Sequence, residues 1–387
     1  MENRIGKNSV RSKQYNRGLI LQWIATGTCR TRIELSRKTK LTKMTVTNIV
    51  SEFMERNLVM ECEEECTDVC GRNPILLKIS PQAPKAIGLL IFRDRIEAVL
   101  CSLDMKILDK ESIYFQTLTK EQLIQYSYDV LDRILKKEKN VLGIGVSTIG
   151  PVDIYKGIIL NPPRFYGIEN VNILNALKER YALPVYVEHD NTSAALAEYL
   201  YGTGKGVQDF IFLGISNGVG SGIVSHGEVF HNHQGWEPEI GHMSIDRNGP
   251  LCSCGNRGCL ETYVSSHIIM EKLKKITGKN VSYTDFCAMN RCEEVDQIFN
   301  QMIEDISVAL INVINMIHPE LIVLGHDCID WNEKYIKLLE NILNEKRMIH
   351  DSNRIDVRKA YFGKDAQLVG AATHIVNQVF KGNILFD

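Results

Sequence analysis

No stretch of this 387-residue chain is apolar for the roughly 18 residues needed to span a bilayer. Its start also lacks the basic residues followed by an apolar core that mark a signal peptide. The expectation is a cytoplasmic chain with no membrane partner. Net charge is scarce too, only −2 at pH 7. That near-neutrality conceals an asymmetry, because residues 1–60 hold 12 Lys/Arg against 4 Asp/Glu and leave −10 to the remainder. A basic head on an acidic body reads as a head that meets nucleic acid and a body that does not. Cysteine, by contrast, is plentiful at 11 residues, and three of these fall in one cluster, which suits a reducing compartment better than a disulfide framework. The length and the 44% hydrophobic content allow two or three domains with proper cores.

In the head, Tyr15, Leu19, Ile20, Trp23 and Ile24 recur at helical spacing, with Gly27 as a stop. Thr31 caps a second, short helix through Lys38, with Ile33 and Leu35 as its apolar positions. Thr42 caps a third, in which Val46, Ile49, Val50, Phe53 and Met54 form the inward stripe. A short helix, a tight turn and a helix opening with small polar and basic groups is the helix-turn-helix arrangement. Thr42, Lys43, Thr45, Thr47 and Asn48 then lie where Thr and Asn address base edges and Lys a phosphate of double-stranded DNA. Apolar runs at Leu58–Met60 and Ile75–Ile79 around a Gly/Pro turn read as a hairpin wing with Arg72 at its tip. A three-helix protein-binding module is the alternative. Cys62, Cys66 and Cys70, spaced by four, have no adjacent His or fourth thiol. They read as incidental to the wing, with metal binding or redox sensing as the other possibility.

The body is organised around Glu239–Glu261, where His242, Cys252, Cys254 and Cys259 stand at His-x9-Cys-x-Cys-x4-Cys spacing. Three thiolates and an imidazole are what a closed, structural Zn²⁺ site requires. Gly255 and Gly258 let the chain turn back onto the ion, and Glu239 and Glu261 at the two ends become a preorganised carboxylate pair. Reduced, unliganded cysteines are the bland alternative. Around this loop the order is three strands, then helix and strand in alternation, and the order repeats. It implies an α/β architecture in two lobes, residues 81–196 and 197–387 after a head of residues 1–80, with Pro81 and Pro84 marking a linker. Asp190 ends a strand and should face a ligand crevice. Gly214, Gly218, Gly220 and Gly222 would let a phosphate or sugar approach the backbone.

These motifs, namely GIGVSTIGPVD at 143–153, Asn161-Pro162-Pro163, Glu188-His189-Asp190, and EIGH with CxCGxxGCxE over 239–261, resemble the ROK family along essentially the whole chain. That family groups sugar-responsive repressors with sugar kinases. The resemblance implies a winged helix-turn-helix followed by a two-lobed, actin-like (ribonuclease H-like) sugar kinase fold. By position, Asp190 matches the family's catalytic base, and Glu239, His242 and Glu261 match sugar contacts. Asn161 lies near the same interlobe cleft. His189 stands where the family usually has Asn, and Thr192 replaces a second Asn. The kinase phosphate loop D-x-G-x-T is lost, its positions reading Leu90-Ile91-Phe92-Arg93-Asp94, and Gly325-His326 replaces a pair of glycines. Without the Mg²⁺ and phosphate contacts, phosphoryl transfer loses most of its support. The implied function is a non-enzymatic repressor of carbohydrate-utilisation genes, a homodimer or homotetramer on operator DNA, with a sugar effector. An active sugar kinase with a DNA-binding appendage is the alternative.

Overall fold

The computed structural model describes residues 9–63, 75–278, 282–288, 293–350 and 353–386. The chain divides into two compact units, Met1–Val146 with Ile173–Val187 and Ala371–Asp387, and Ser147–Asn172 with Glu188–Gly370.

The first unit opens with α1 (Ser9–Ala25), α2 (Arg32–Thr39) and α3 (Lys43–Glu55). Thr31 and Glu34 form a reciprocal capping box on α2, and the Thr42 hydroxyl accepts from the Thr45 N–H to start α3. Ile20, Leu21, Leu35, Val46, Val50 and Phe53 close the small core between them. Ile33 is 62% exposed, contrary to expectation, because the eight residues of α2 turn only Leu35 inward. β1 (Val59–Glu63) and β2 (Ile75–Ile79) pair antiparallel, Val59 opposite Ile79. Arg72, Cys66 and Cys70 lie outside the described residues.

The segment read as a linker is fixed. Ser80 and Ala83 are buried, Lys85 Nζ donates to the Pro81 and Ala83 carbonyls, and Asn140 Nδ2 donates to the Gln82 carbonyl at 3.1 Å. The head therefore clusters with the sheet that follows it.

That sheet comprises β3 (Lys85–Ile91), β4 (Arg95–Cys101), β5 (Ile107–Tyr114), β6 (Val141–Thr148) and β10 (Val185–His189) in the order β10-β6-β3-β4-β5. Every residue of β3 is buried, as a central strand covered on both faces requires. α4 (Lys120–Lys137) is started by a Thr119–Gln122 capping box and turns Leu123, Ser127, Val130, Leu131 and Ile134 inward at helical spacing. α5 (Ile173–Arg180) accepts the Tyr128 hydroxyl of α4 at the Ala176 carbonyl, 3.0 Å.

α12 (Ala366–Phe380) closes the chain. Its last turn meets α1, where a Cβ on Gly18 would fall 2.1 Å from the Phe380 carbonyl oxygen. Beyond it Phe386 stacks on Phe53 of α3 at 5.8 Å, and Arg56 donates to the Leu385 carbonyl.

The second unit contains a small sheet of β7 (Val152–Asp153), β8 (Ile158–Ile159) and β9 (Val171–Asn172), and the helix α6 (Asp190–Tyr201). Its main sheet takes β11 (Phe210–Ile215), β12 (Val219–Ser225), β13 (Glu228–Val229), β14 (Leu321–His326) and β15 (Asp356–Lys359) in the order β13-β12-β11-β14-β15. β11, β12 and β13 are antiparallel, while β14 and β15 add parallel on the other side of β11, so the strand order of the first sheet is repeated. α7 (Glu261–Val264), α8 (Ser266–Thr277), α9 (Tyr283–Ala288), α10 (Glu293–Ile317) and α11 (Glu333–Lys346) complete the unit. Its core stacks Phe286 on Phe299 and Phe299 on Tyr335 at 4.7 and 4.3 Å. Buried Glu198 of α6 accepts the Thr203, Tyr361 and Phe362 backbone N–H groups, a structural use of a carboxylate.

Candidate functional site

The sequence predicted a metal-binding loop, and His242, Cys252, Cys254 and Cys259 present ligand atoms that all lie within 4.8 Å of one another. Cys252 Sγ is 3.6 Å from His242 Nδ1 and Cys254 Sγ is 3.7 Å from Cys259 Sγ. A tetrahedral ion with metal–sulfur bonds of about 2.3 Å has ligand–ligand edges of about 3.7 Å. The donor set and its spacing therefore fit a divalent, thiophilic metal. Backbone geometry holds the loop: Cys252 N–H donates to the Asn256 carbonyl and Ile245 N–H to the Gly258 carbonyl, both at 2.8 Å. Gly258 has φ +68°, and a Cβ there would fall 1.8 Å from the Asp246 carbonyl oxygen, so only glycine fits. Burial and the neighbouring Cys254 and Cys252 push the Cys259 thiol up to about 12. A bound cation reverses that, since thiolates are its ligands.

Glu239, immediately before this loop, belongs with His189 and Asp190 to a cluster of acids and histidines. β10 carries the chain through His189, and α6 begins at Asp190. Both residues are buried. Asp190 Oδ1 accepts from the Asn191 N–H and Nδ2, each at 2.8 Å, and Oδ2 lies 3.9 Å from His326 Nε2. His189 Nδ1 lies 3.4 Å from Glu237 Oε1, an ion-pair contact rather than a hydrogen bond. Burial opposes the charge on His189, but Glu237, with Glu188 and Asp190 behind it, raises the imidazole to about 9. Glu239 is open to solvent on one side, yet the surrounding protein and then the Glu237 carboxylate push it up to about 7 against the pull of His242 and His189. Glu188 pairs with His231 at 2.8 Å.

Glu261, at the far end of the zinc-like loop, is 6% exposed and opens α7. Its Oε1 accepts from Arg164 Nη2 at 2.6 Å and its Oε2 from the Val219 N–H at 3.2 Å. Arg164 Nη1 also lies 2.9 Å from His267 Nε2. Asn161, three residues before Arg164, is exposed at the start of the same loop. It is Arg164 that reaches Glu261, and no sequence pattern singled it out.

The glycine hairpin of β11 and β12 does not offer the open backbone expected of it. A Cβ on Gly214 would fall 2.2 Å from Asn191 Oδ1 and 2.5 Å from His326 Cδ2, and one on Gly220 would fall 2.3 Å from Asn191 Nδ2. The chain's own Asn191 and His326 occupy that space. His326 adopts φ 52°, ψ −127° to do so, an unusual backbone for a residue with a Cβ.

In the first unit Thr42, Lys43, Met44, Thr47 and Asn48 are exposed together at the start of α3. The Thr42 and Thr45 hydroxyls lie 2.9 Å apart within the cap.

The family model described as "ROK family" matches residues 86–378. A xylose repressor of Bacillus spizizenii is 26% identical over 370 residues, covering 94% of this chain and 95% of that protein. The DNA-binding transcriptional repressor Mlc of Escherichia coli is 26% identical over 395 residues, covering 96% and 95%. Among solved structures, a ROK family transcriptional regulator described as a homologue of the Escherichia coli Mlc protein covers 96% of this chain and 98% of its own, at 25% identity and a TM-score of 0.80. A ROK family glucokinase from Streptomyces griseus, in complex with glucose and AMPPNP, covers 74% of this chain at 22% identity and a TM-score of 0.67, and shares the fold. With three-quarters of its length matched and both sheets and the Cys/His loop in place, this chain belongs to the ROK family.

Proposed function

We propose that this protein is a sugar-responsive, DNA-binding transcriptional repressor of carbohydrate-utilisation genes. The observation that carries the reading is that relatives named as repressors match it over 94–96% of its length, its basic three-helix head included. In this reading α2, α3 and the β1–β2 hairpin are a winged helix-turn-helix. Thr45, Thr47 and Asn48 address base edges in the major groove, Thr42 and Lys43 the backbone, and Arg72 the DNA beside the wing. Two such heads in a homodimer or homotetramer read a pseudo-palindromic operator. The body binds a sugar through His189, Asp190, Glu239, His242 and Glu261, with Asn161 at the margin, and occupancy changes operator affinity. Such a switch needs different sugar affinities in the two states.

Zn²⁺ is the metal best suited to one imidazole and three thiolates. Held by His242, Cys252, Cys254 and Cys259 it is structural, since four protein ligands leave no position for water. Its role is to fix the ends of the loop that bears Glu239 and Glu261. The cytoplasm is the compartment that suits reduced cysteines and operator DNA together.

Phosphoryl transfer is not part of this reading. Leu90, Ile91 and Phe92 are buried apolar residues with no oxygen to organise Mg²⁺. Asn191 and His326 cover the glycines of the second hairpin. Asp190 is then a hydroxyl acceptor rather than a catalytic base.

Fluorescence anisotropy with DNA from upstream of the protein's own gene and of neighbouring carbohydrate genes tests the proposal. Binding that is saturable, salt-dependent and shifted by one sugar of a panel is the expected result. No affinity for any of these sites at low salt would overturn it, as would sugar-dependent ATP turnover abolished by Asp190→Asn.

A further inference from the structure

Arg164 sits on a loop built to hold it. Asn170 N–H donates to the Leu160 carbonyl at 2.7 Å and Ile168 N–H to the Phe165 carbonyl at 2.9 Å, while Phe165, 1% exposed, pins the loop to the core. Arg164 takes φ +55°, a left-handed backbone that a residue with a Cβ adopts only when its surroundings impose it. The result is a guanidinium aimed at Glu261 and steadied by His267. Its side chain stays 41% exposed against 8% for Glu261, so a molecule arriving from solvent meets the arginine and the carboxylate together.

The hydrogen-bonding inventory of this pair is unequal in a useful way. A guanidinium only donates, and a carboxylate only accepts. Arg164 has N–H groups beyond the two directed at Glu261 and His267, and each Glu261 oxygen retains a second lone-pair direction. One group satisfies both residues at once, namely a hydroxyl, which accepts from the arginine and donates to the carboxylate. A phosphate ester satisfies Arg164 but sets its charge against Glu261, in a unit that also carries Glu237, Glu239 and Asp190 close to one another. An ammonium satisfies the carboxylate and is repelled by Arg164.

We propose that Arg164 is a specificity-determining residue which, paired with Glu261, reads one hydroxyl of an uncharged sugar and rejects sugar phosphates and amino sugars. This rests on the sugar-effector reading given above and narrows it to a chemical class.

Isothermal titration of the full-length, zinc-loaded protein with xylose, glucose, N-acetylglucosamine and glucosamine, and with the phosphate esters of each, tests the proposal. The expected outcome is that an uncharged sugar binds at least about tenfold more tightly than its ester, and more tightly than glucosamine. Arg164→Met should weaken that sugar by about tenfold or more, the effect of losing a hydrogen bond from a charged group, and Arg164→Lys should recover part of the loss. Unfolding temperature and zinc content are read on each variant. Should Arg164→Met fail to fold, His267→Ala, which removes the ring that steadies the guanidinium, should weaken the same sugar by about threefold. An ester that binds as tightly as its free sugar overturns the proposal alone, as does unchanged affinity in a folded Arg164→Met. Binding of neither class at millimolar concentration overturns the effector reading beneath it.

Discussion

His189 makes a quantitative claim about pH. Its imidazole rises from an ordinary 6.5 to about 9, because Glu237 at 3.4 Å outweighs the cost of burial. A shift of that size in a buried group is worth about 3 kcal/mol of folding free energy. The folded state holds the proton more tightly than the unfolded state. The contribution is therefore complete below about pH 6.5 and is lost as pH rises towards about 9. Glu239 acts with the same sign at lower pH, since a carboxyl raised from 4.5 to about 7 loses its contribution between those values. The interval from pH 7 to 9 therefore isolates the histidine. Urea unfolding of the metal-loaded protein at pH 6, 7, 8 and 9, followed by circular dichroism, should show stability falling by about 3 kcal/mol, most of it above pH 7. His189→Asn should flatten the upper part of the curve. If the wild type and the asparagine variant show the same slope between pH 7 and 9, the ion pair is not what raises the imidazole.

Cys254→Ser should lower bound metal from about one ion per chain to near zero and weaken sugar binding, while leaving DNA binding by the head intact; metal analysis and anisotropy measure the two separately. Glu198→Ala leaves three backbone N–H groups without the buried carboxylate that accepts from them and should cost about 3 kcal/mol in urea unfolding, whereas Glu198→Gln, which keeps one acceptor oxygen, should cost less. Lys43→Ala should weaken all DNA sequences alike and reduce the slope of log affinity against log salt by about one, while Asn48→Ala should cost about 1–3 kcal/mol at a single operator position. Thr42→Ala removes the cap of α3 and should destabilise the head by about 1 kcal/mol, seen as earlier melting of α3 in hydrogen exchange.

Features written in short-range pattern were legible in the sequence. The caps at Thr31 and Thr42, the inward stripe of α3 and the Cys/His spacing each depend on neighbours a few residues away: both caps form, the stripe buries Val46, Val50 and Phe53 and leaves Ile49 and Met54 half-buried, and the four Cys/His side chains come together. Arg164 was not legible, because its partner Glu261 lies 97 residues further on and its direction depends on a left-handed backbone within a loop. Nothing in the sequence pattern singles out Asn191. Only the fold shows its amide lying across Gly214 and Gly220, where an open backbone was expected. The proline pair at Pro81 and Pro84 marks a linker, but the buried Lys85 amine, which holds two carbonyls of that segment, is invisible to composition.

The last turn of α12 meets α1 at Gly18. The residues after it reach α3 itself through Phe386 and Arg56. The head is thus moored at two places far apart along the chain, by the fixed Ser80–Lys85 segment and by the C-terminal tail. An object moored once can swivel; moored twice, it keeps only the freedom of the line joining its moorings.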